Sequence, residues 1–248
     1  MKASDLSGFF LRSLFISASL NFTRMQNLGF AYALLPLARF RENEKQRQVA
    51  FLLRHLDYFN THPYLAGAVL GAVIRIEEDE RTDDAAKGTD VTRLKKSLMG
   101  PYAAIGDNFF SGSLRPLAAI VAAIMAWGGF IWAPLIFLLI FTPLQFWIRV
   151  RGFMEGYRRD WQGFIYIQSW DLPRFAGYLR RVSLALLAVA TVIAGEGIYR
   201  FTAQNWPRPG LAVALLAAVL LSYYAVRRGL SPLIVLYGMM AVCLIVMV

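Results

Sequence analysis

The chain has 248 residues, of which 57% are hydrophobic and only 17% charged, with a mean hydropathy of +0.47. Typical soluble domains are roughly 45–50% apolar and about 25% charged, so this is not an ordinary soluble composition. Disorder is excluded, because it needs low hydrophobicity, and a lone Cys243 excludes a disulfide scaffold. The formal charge of +10 would suit a nucleic-acid binder, but its placement argues against one. Up to Gly112 there are 14 basic and 12 acidic residues; beyond it there are 12 and four, and those 12 are all arginine. Most of these arginines stand at the ends of apolar runs rather than on one basic face, the pattern of a membrane protein.

Near the start, Phe9-Phe10-Leu11 is cut short by Arg12, so no cleavable signal is expected. Three apolar stretches come next, Leu28–Leu37, Tyr64–Ile74 and Leu98–Phe110, each too short to span alone. Between them lie a charged helical-looking segment, Arg39–Asp57, and a highly charged one, Glu77–Lys96. The latter holds Thr82-Asp83-Asp84 and Gly88-Thr89-Asp90 and reads as a solvated loop leading into a helix. From Pro116 to Arg149 there is no charge up to the arginine itself. Leu117–Phe141 alone would make about 37 Å of helix, enough for a core of about 30 Å. Gly128-Gly129, Pro134 and Pro143 interrupt the run, so a span followed by a broken or re-entrant segment is expected. Val182–Ile198, Pro209–Val226 and Gly229–Val248 are further candidates, the last two separated by Arg227-Arg228. Arg149–Arg181 holds seven arginines and three acids, which places it on the cytoplasmic side. The fold expected is an all-α integral membrane protein, with transmembrane helices and broken or re-entrant helical segments. It divides into a motif-bearing region, 1–115, and a transmembrane region, 116–248.

Catalytic templates find few parts. His55 and His62 have no cysteine nearby, and no phosphate-cradling glycine-lysine loop is present. Within Glu77-Glu78-Asp79-Glu80 at most two carboxylates could converge on one ion, and a solvated acidic helix end explains the run better. Three polar sets remain. Asn21 and Arg24 can share a helix face with Leu28, although a cap plus a surface arginine would use the same residues. Asn60-Thr61-His62-Pro63 offers several hydrogen-bonding groups, with proline holding His62 extended, yet a plain inter-helix turn would look alike. Gly106-Asp107-Asn108 sets a carboxylate among apolar neighbours, where it either grips a ligand or caps the helix that runs into Phe109.

Together these segments are more specific than any one of them. Asn21-Phe22-Thr23-Arg24-Met25-Gln26-Asn27-Leu28-Gly29-Phe30 and His55-Leu56-Asp57-Tyr58-Phe59-Asn60-Thr61-His62-Pro63-Tyr64 resemble the IID membrane component of the sugar phosphotransferase system, mannose/fructose/sorbose family. So do Leu98-Met99-Gly100-Pro101, Ile105-Gly106-Asp107 and Gly112-Ser113-Leu114-Arg115-Pro116, with Arg149, Gly152, Gly156 and Tyr157 beyond. The resemblance is strong from about Phe9 to Pro116, fair to Tyr157 and weaker after it.

The resemblance implies a multi-pass subunit of the bacterial inner membrane that pairs with a IIC subunit, several pairs assembling together. Between them a hexose would cross the bilayer, to be phosphorylated by a cytoplasmic IIA/IIB phosphocarrier. The IID subunit would hold no phosphorylated residue, metal or cofactor of its own. Carried over by position, the family's polar motifs fall on Asn21, Arg24, Asn60, Thr61, Glu77, Glu78 and Asp107. His62 stands where relatives have His or Gln. Leu20 and Thr23 replace a usual tryptophan and glutamate, and Arg75 a usual aliphatic residue. Those departures motivate the alternative, a IID-like scaffold or sensor that regulates rather than transports.

Overall fold

A computed structural model describes residues 3–41, 44–78, 84–159 and 162–205, with isolated positions between 217 and 238. Two compact units are distinguished, Met1–Ala190 and Thr191–Val248, and the first holds most of the described residues. The expected spans Pro209–Val226 and Gly229–Val248 lie almost wholly outside the described residues.

The described chain is helical, with no strand, only two isolated bridge pairs that join Met25 to Asn21 and to Phe59. In order it forms α1 (Ala3–Ser13), α2 (Asn27–Arg41), α3 (Lys45–His55), α4 (Ala66–Glu78) and α5 (Asp84–Gly106). A π-helix (Asp107–Leu114) comes next, then α6 (Arg115–Trp127), α7 (Ala133–Arg159), α8 (Gln162–Gln168) and α9 (Leu172–Asn205).

Among the described residues, two helical runs are long and apolar enough to cross a membrane, Val91–Trp127 and Ala133–Arg159. The first differs from the sequence expectation, in which Leu98–Phe110 was an apolar stretch too short to span alone. The charges near the ends of that stretch, at Lys95 and Arg115, do not break the helix. Lys95 is buried, and the Arg115 guanidinium lies over the Phe141 ring at 5.5 Å. Gly88-Thr89-Asp90 lies within α5 rather than in a turn, a case of weak local propensity yielding to an extended helix.

The second expectation, an interruption near Gly128-Gly129, is met at residues 128–132. Gly129 has φ of +80°, a conformation glycine adopts without the Cβ clash other residues suffer. Pro134 starts α7, where its missing N–H costs nothing, and Pro143 sits inside α7 without ending it.

The core centres on α4, buried at every position from Ala66 to Ile74. It packs along α7 through two glycine pairs spaced four apart, Gly67 and Gly71 against Gly152 and Gly156. A Cβ on Gly156 would come within 2.1 Å of the Ala68 carbonyl oxygen, and one on Gly71 within 2.3 Å of that of Phe153. Such close backbone approach is what small-residue spacing provides between membrane helices.

Candidate functional site

The first polar set is not on a helix face. Asn21 and Met25 exchange backbone hydrogen bonds at 3.0 and 2.9 Å, and Met25 has φ of +56°. This tight turn precedes α2, whose first residue is Asn27. The Asn21 amide organises it: Oδ1 accepts from the Arg24 N–H at 2.7 Å, and Nδ2 donates to Asn27 Oδ1 at 2.7 Å. Arg24 and Asn27 then both donate to the Leu56 carbonyl, at 3.2 and 2.8 Å. The turn therefore grips the start of the loop that carries the second set.

Gln26 secures the other end of that loop. Its backbone N–H donates to the Phe59 carbonyl at 2.9 Å. Its side chain donates to the Thr61 carbonyl at 2.8 Å and accepts from the Thr61 N–H at 3.1 Å. Thr61 is buried, and its hydroxyl donates to the Met99 carbonyl on α5 at 3.0 Å. Asn60, one residue earlier, is exposed. Beneath the loop Lys95 donates to the His55 carbonyl at 3.2 Å and lies 4.8 Å from the Phe30 ring centre. A buried ammonium between a carbonyl and an aromatic face is stabilised by both.

His62 ends the loop. Its carbonyl accepts from Leu65 and Ala66 N–H at 2.9 and 3.0 Å and so starts α4. Its ring is stacked on Phe110 at 5.0 Å and lies against Gly106, where an added Cβ would sit 2.3 Å from the imidazole Cγ. Only glycine at 106 leaves room. Burial is the chief reason the His62 pKa falls to about 4; Arg115 and Arg149 push the same way, and Asp107 opposes them. The ring is therefore neutral at pH 7, with Nδ1 accepting from the Tyr64 N–H at 3.3 Å and the proton on Nε2.

The π-helix opens directly beside this histidine. Ser113 Oγ donates to the Asn108 carbonyl, five residues back, at 2.9 Å, and the Arg115 N–H donates to the Phe110 carbonyl. Asp107 is exposed at its first turn and caps nothing, since the helix runs through it. Asn108 accepts from Arg180 of α9 at 2.5 Å. Such wide turns recur at functional sites, because the extra residue redirects side chains and backbone carbonyls.

Asn21, Arg24, Thr61, His62 and Asp107 thus belong to one connected region around the 56–62 loop, with Asn60 on its surface. Glu77 and Glu78 do not. Glu77 is buried against Arg54 at 2.5 Å and His55 at 3.2 Å, a pairing at the far ends of α3 and α4. Glu78 accepts from the Tyr157 hydroxyl at 2.5 Å. Sequence reasoning passed over Gln26, Asn27 and Lys95. The first two lie inside the quoted motif, but nothing in a linear pattern shows that an amide reaches 35 residues ahead.

The region offers amides, a hydroxyl, a neutral imidazole and a carboxylate. No group of three potential metal ligands occurs among the described residues. Side chains of this kind hold a polar, hydroxyl-rich solute by hydrogen bonds. With two apolar membrane-length helices among the described residues, the fold is that of a helical membrane protein.

Comparison with known proteins specifies the class further. Residues 1–189 match the family described as PTS system mannose/fructose/sorbose family IID component, and the chain belongs to that family. It is 32% identical over 206 residues to the mannose-specific EIID component of Escherichia coli K12, covering 82% of this chain and 70% of that protein. To the sorbose-specific EIID component of Klebsiella pneumoniae it is 37% identical over 155 residues, covering 62% and 57%. Among solved structures, the mannose transporter ManYZ in complex with microcin E492 matches with a TM-score of 0.59 at 26% identity, over 98% of this chain and 95% of that one. The chain is an all-α integral membrane protein and a IID subunit of sugar transport.

Proposed function

We propose that this chain pairs with a IIC subunit in the bacterial inner membrane and, with it, carries a hexose that a IIA/IIB protein phosphorylates on arrival. It crosses the bilayer several times, with Arg149–Arg181 on the cytoplasmic side, and several IIC/IID pairs assemble together. Asn60, His62 and Asp107 face or border the sugar. Asn21, Arg24 and Thr61 hold the loop that presents them, and Glu77 and Glu78 set the helix ends from a distance. The 1–115 region carries recognition, and 116–248 supplies most of the membrane scaffold.

The observation that carries this reading is Thr61. Its backbone is clamped by Gln26 and its hydroxyl is bound to Met99, so the Asn21–Asn27 turn, the 56–62 loop and α5 become one structure. Leu20 is 59% exposed and Thr23 is exposed too. The departures that suggested a regulatory scaffold therefore lie outside the buried part of the cluster and leave it intact.

Uptake and phosphorylation of labelled hexoses by vesicles holding the reconstituted complex tests the proposal. Asn60→Ala and Asp107→Ala are each expected to reduce uptake about tenfold, the loss of one good hydrogen bond to substrate. Wild-type rates in both variants would remove these residues from the sugar path.

A further inference from the structure

The inward stripe of α7 carries two buried polar atoms that the protein leaves without a hydrogen bond, Gln145 Oε1 and Arg149 Nε. Four residues apart, they share one face of the helix. Neighbours fix where that face points. Phe141, four residues before Gln145, meets the Tyr64 ring edge-on at 5.9 Å, and the Arg149 guanidinium lies over the same ring at 4.5 Å. Gln145 stands between them. Tyr64 in turn touches His62 at 4.9 Å and Phe110 at 4.8 Å. This stripe therefore lies across Tyr64 from the histidine that ends the 56–62 loop.

Position makes the two orphans significant. Measured along α7 from Ala133, Gln145 lies about 18 Å and Arg149 about 24 Å away, which sets Gln145 within a hydrocarbon depth of about 30 Å and Arg149 at its cytoplasmic edge. No carboxylate lies within 4 Å of Arg149 among the described residues. Polar side chains buried along a membrane helix normally have a partner or line a solute path.

The unmet atoms are one acceptor and one donor on the same helix face. An anion would satisfy the arginine but face the amide oxygen with like polarity. A hydroxyl satisfies both, donating to Gln145 Oε1 and accepting from the Arg149 Nε–H. We infer that Gln145 and Arg149 form a hydroxyl-binding subsite of the sugar path, separate from the Asn60–His62 loop and reached across Tyr64. The inference rests on the reading of this chain as part of such a path.

The test uses vesicles holding the chain with its IIC partner, driven by the IIA/IIB phosphocarrier. Mannose, fructose and sorbose are supplied, together with singly deoxygenated forms of whichever sugar is carried. Gln145→Leu is expected to raise KM about tenfold with the maximal rate kept. One deoxy sugar should show the same loss with wild type and no further loss with the variant, which a merely structural role would not produce. Arg149→Lys keeps the charge but removes the Nε–H, and is expected to repeat this pattern. Gln145→Asn keeps an amide and decides the matter if the leucine variant fails to assemble, with a KM rise of about threefold. Unchanged KM for every sugar, the result if the pair only holds water, overturns the subsite and leaves the sugar-path reading standing. Failure of the wild-type complex to take up any hexose with the phosphocarrier active overturns that reading and the subsite with it.

Discussion

Helices α4 and α7 are both apolar, yet they meet opposite surroundings. From Ala66 to Ile74 every residue of α4 is buried. On α7 the residues Leu138, Leu139 and Trp147 are each at least half exposed, and Leu135 and Phe146 nearly so. The difference follows side-chain size. α4 is built from alanine, glycine and small aliphatics, which let another backbone approach. The outer face of α7 is built from leucine and aromatics, which suit hydrocarbon. Hydropathy reports that a segment avoids water; only size reports whether protein or lipid replaces it.

The sharpest break of this contrast is at the glycine seam. Gly156→Ala puts a Cβ 2.1 Å from a backbone oxygen and 2.9 Å from the carbonyl carbon of Ala68, and neither atom can rotate away. A loss of about 3 kcal/mol or more is expected, read as a lowered midpoint of thermal unfolding in detergent. Gly152→Ala, one turn earlier, meets only the Ala68 Cβ at 3.7 Å, an ordinary contact. It should be neutral, or better by about 0.5 kcal/mol from helix propensity. Equal losses at the two positions would mean that backbone approach is not what holds α4 to α7.

Local and distant causes also divide what could be read from the sequence. The apolar runs, the break at Gly128-Gly129 and the membrane class are local properties, and all were legible. So were the polar segments, because Asn60-Thr61-His62 and Gly106-Asp107 stand out among apolar neighbours. The continuity of Val91–Trp127 was not, since Lys95 near its start is buried against the distant ring of Phe30. Nor was the Asn21 turn, where an amide-centred hydrogen-bond set overrides an apparent helical spacing from Asn21 to Leu28. The burial of Glu77 shows the same limit. An acidic run reads as solvated unless Arg54 and His55 are known to lie beside it.

The outer face of α7 gives the next test. Leu138 is 52% exposed in a stretch without charge. If that face meets lipid, Leu138→Arg costs about 3 kcal/mol of membrane insertion. The cost is measurable as the inserted fraction of the α6–α7 hairpin in a translocon assay, with Leu138→Ala as the mild control. Full insertion of the arginine variant would show that water bathes this face, and the contrast with α4 would need another cause.

The smallest effect separates the two regions by pH. His62 is held neutral by burial, with its pKa lowered to about 4, and His55 is shifted in the same direction, also chiefly by burial. In both cases the unfolded chain, with a histidine pKa near 6.5, binds the proton more readily than the folded one. Stability is therefore whole above about pH 6.5 and falls as pH drops below it, for His62 until about pH 4. A single such group contributes a slope of about 1.4 kcal/mol per pH unit within that window, or about 2 kcal/mol at pH 5. His62→Gln keeps a polar side chain and removes the titration, so unfolding between about pH 6.5 and about pH 4 should lose the His62 share and retain that of His55. An unchanged slope would mean that His62 meets water freely, and that its packing against Gly106 and Phe110 does not persist in solution.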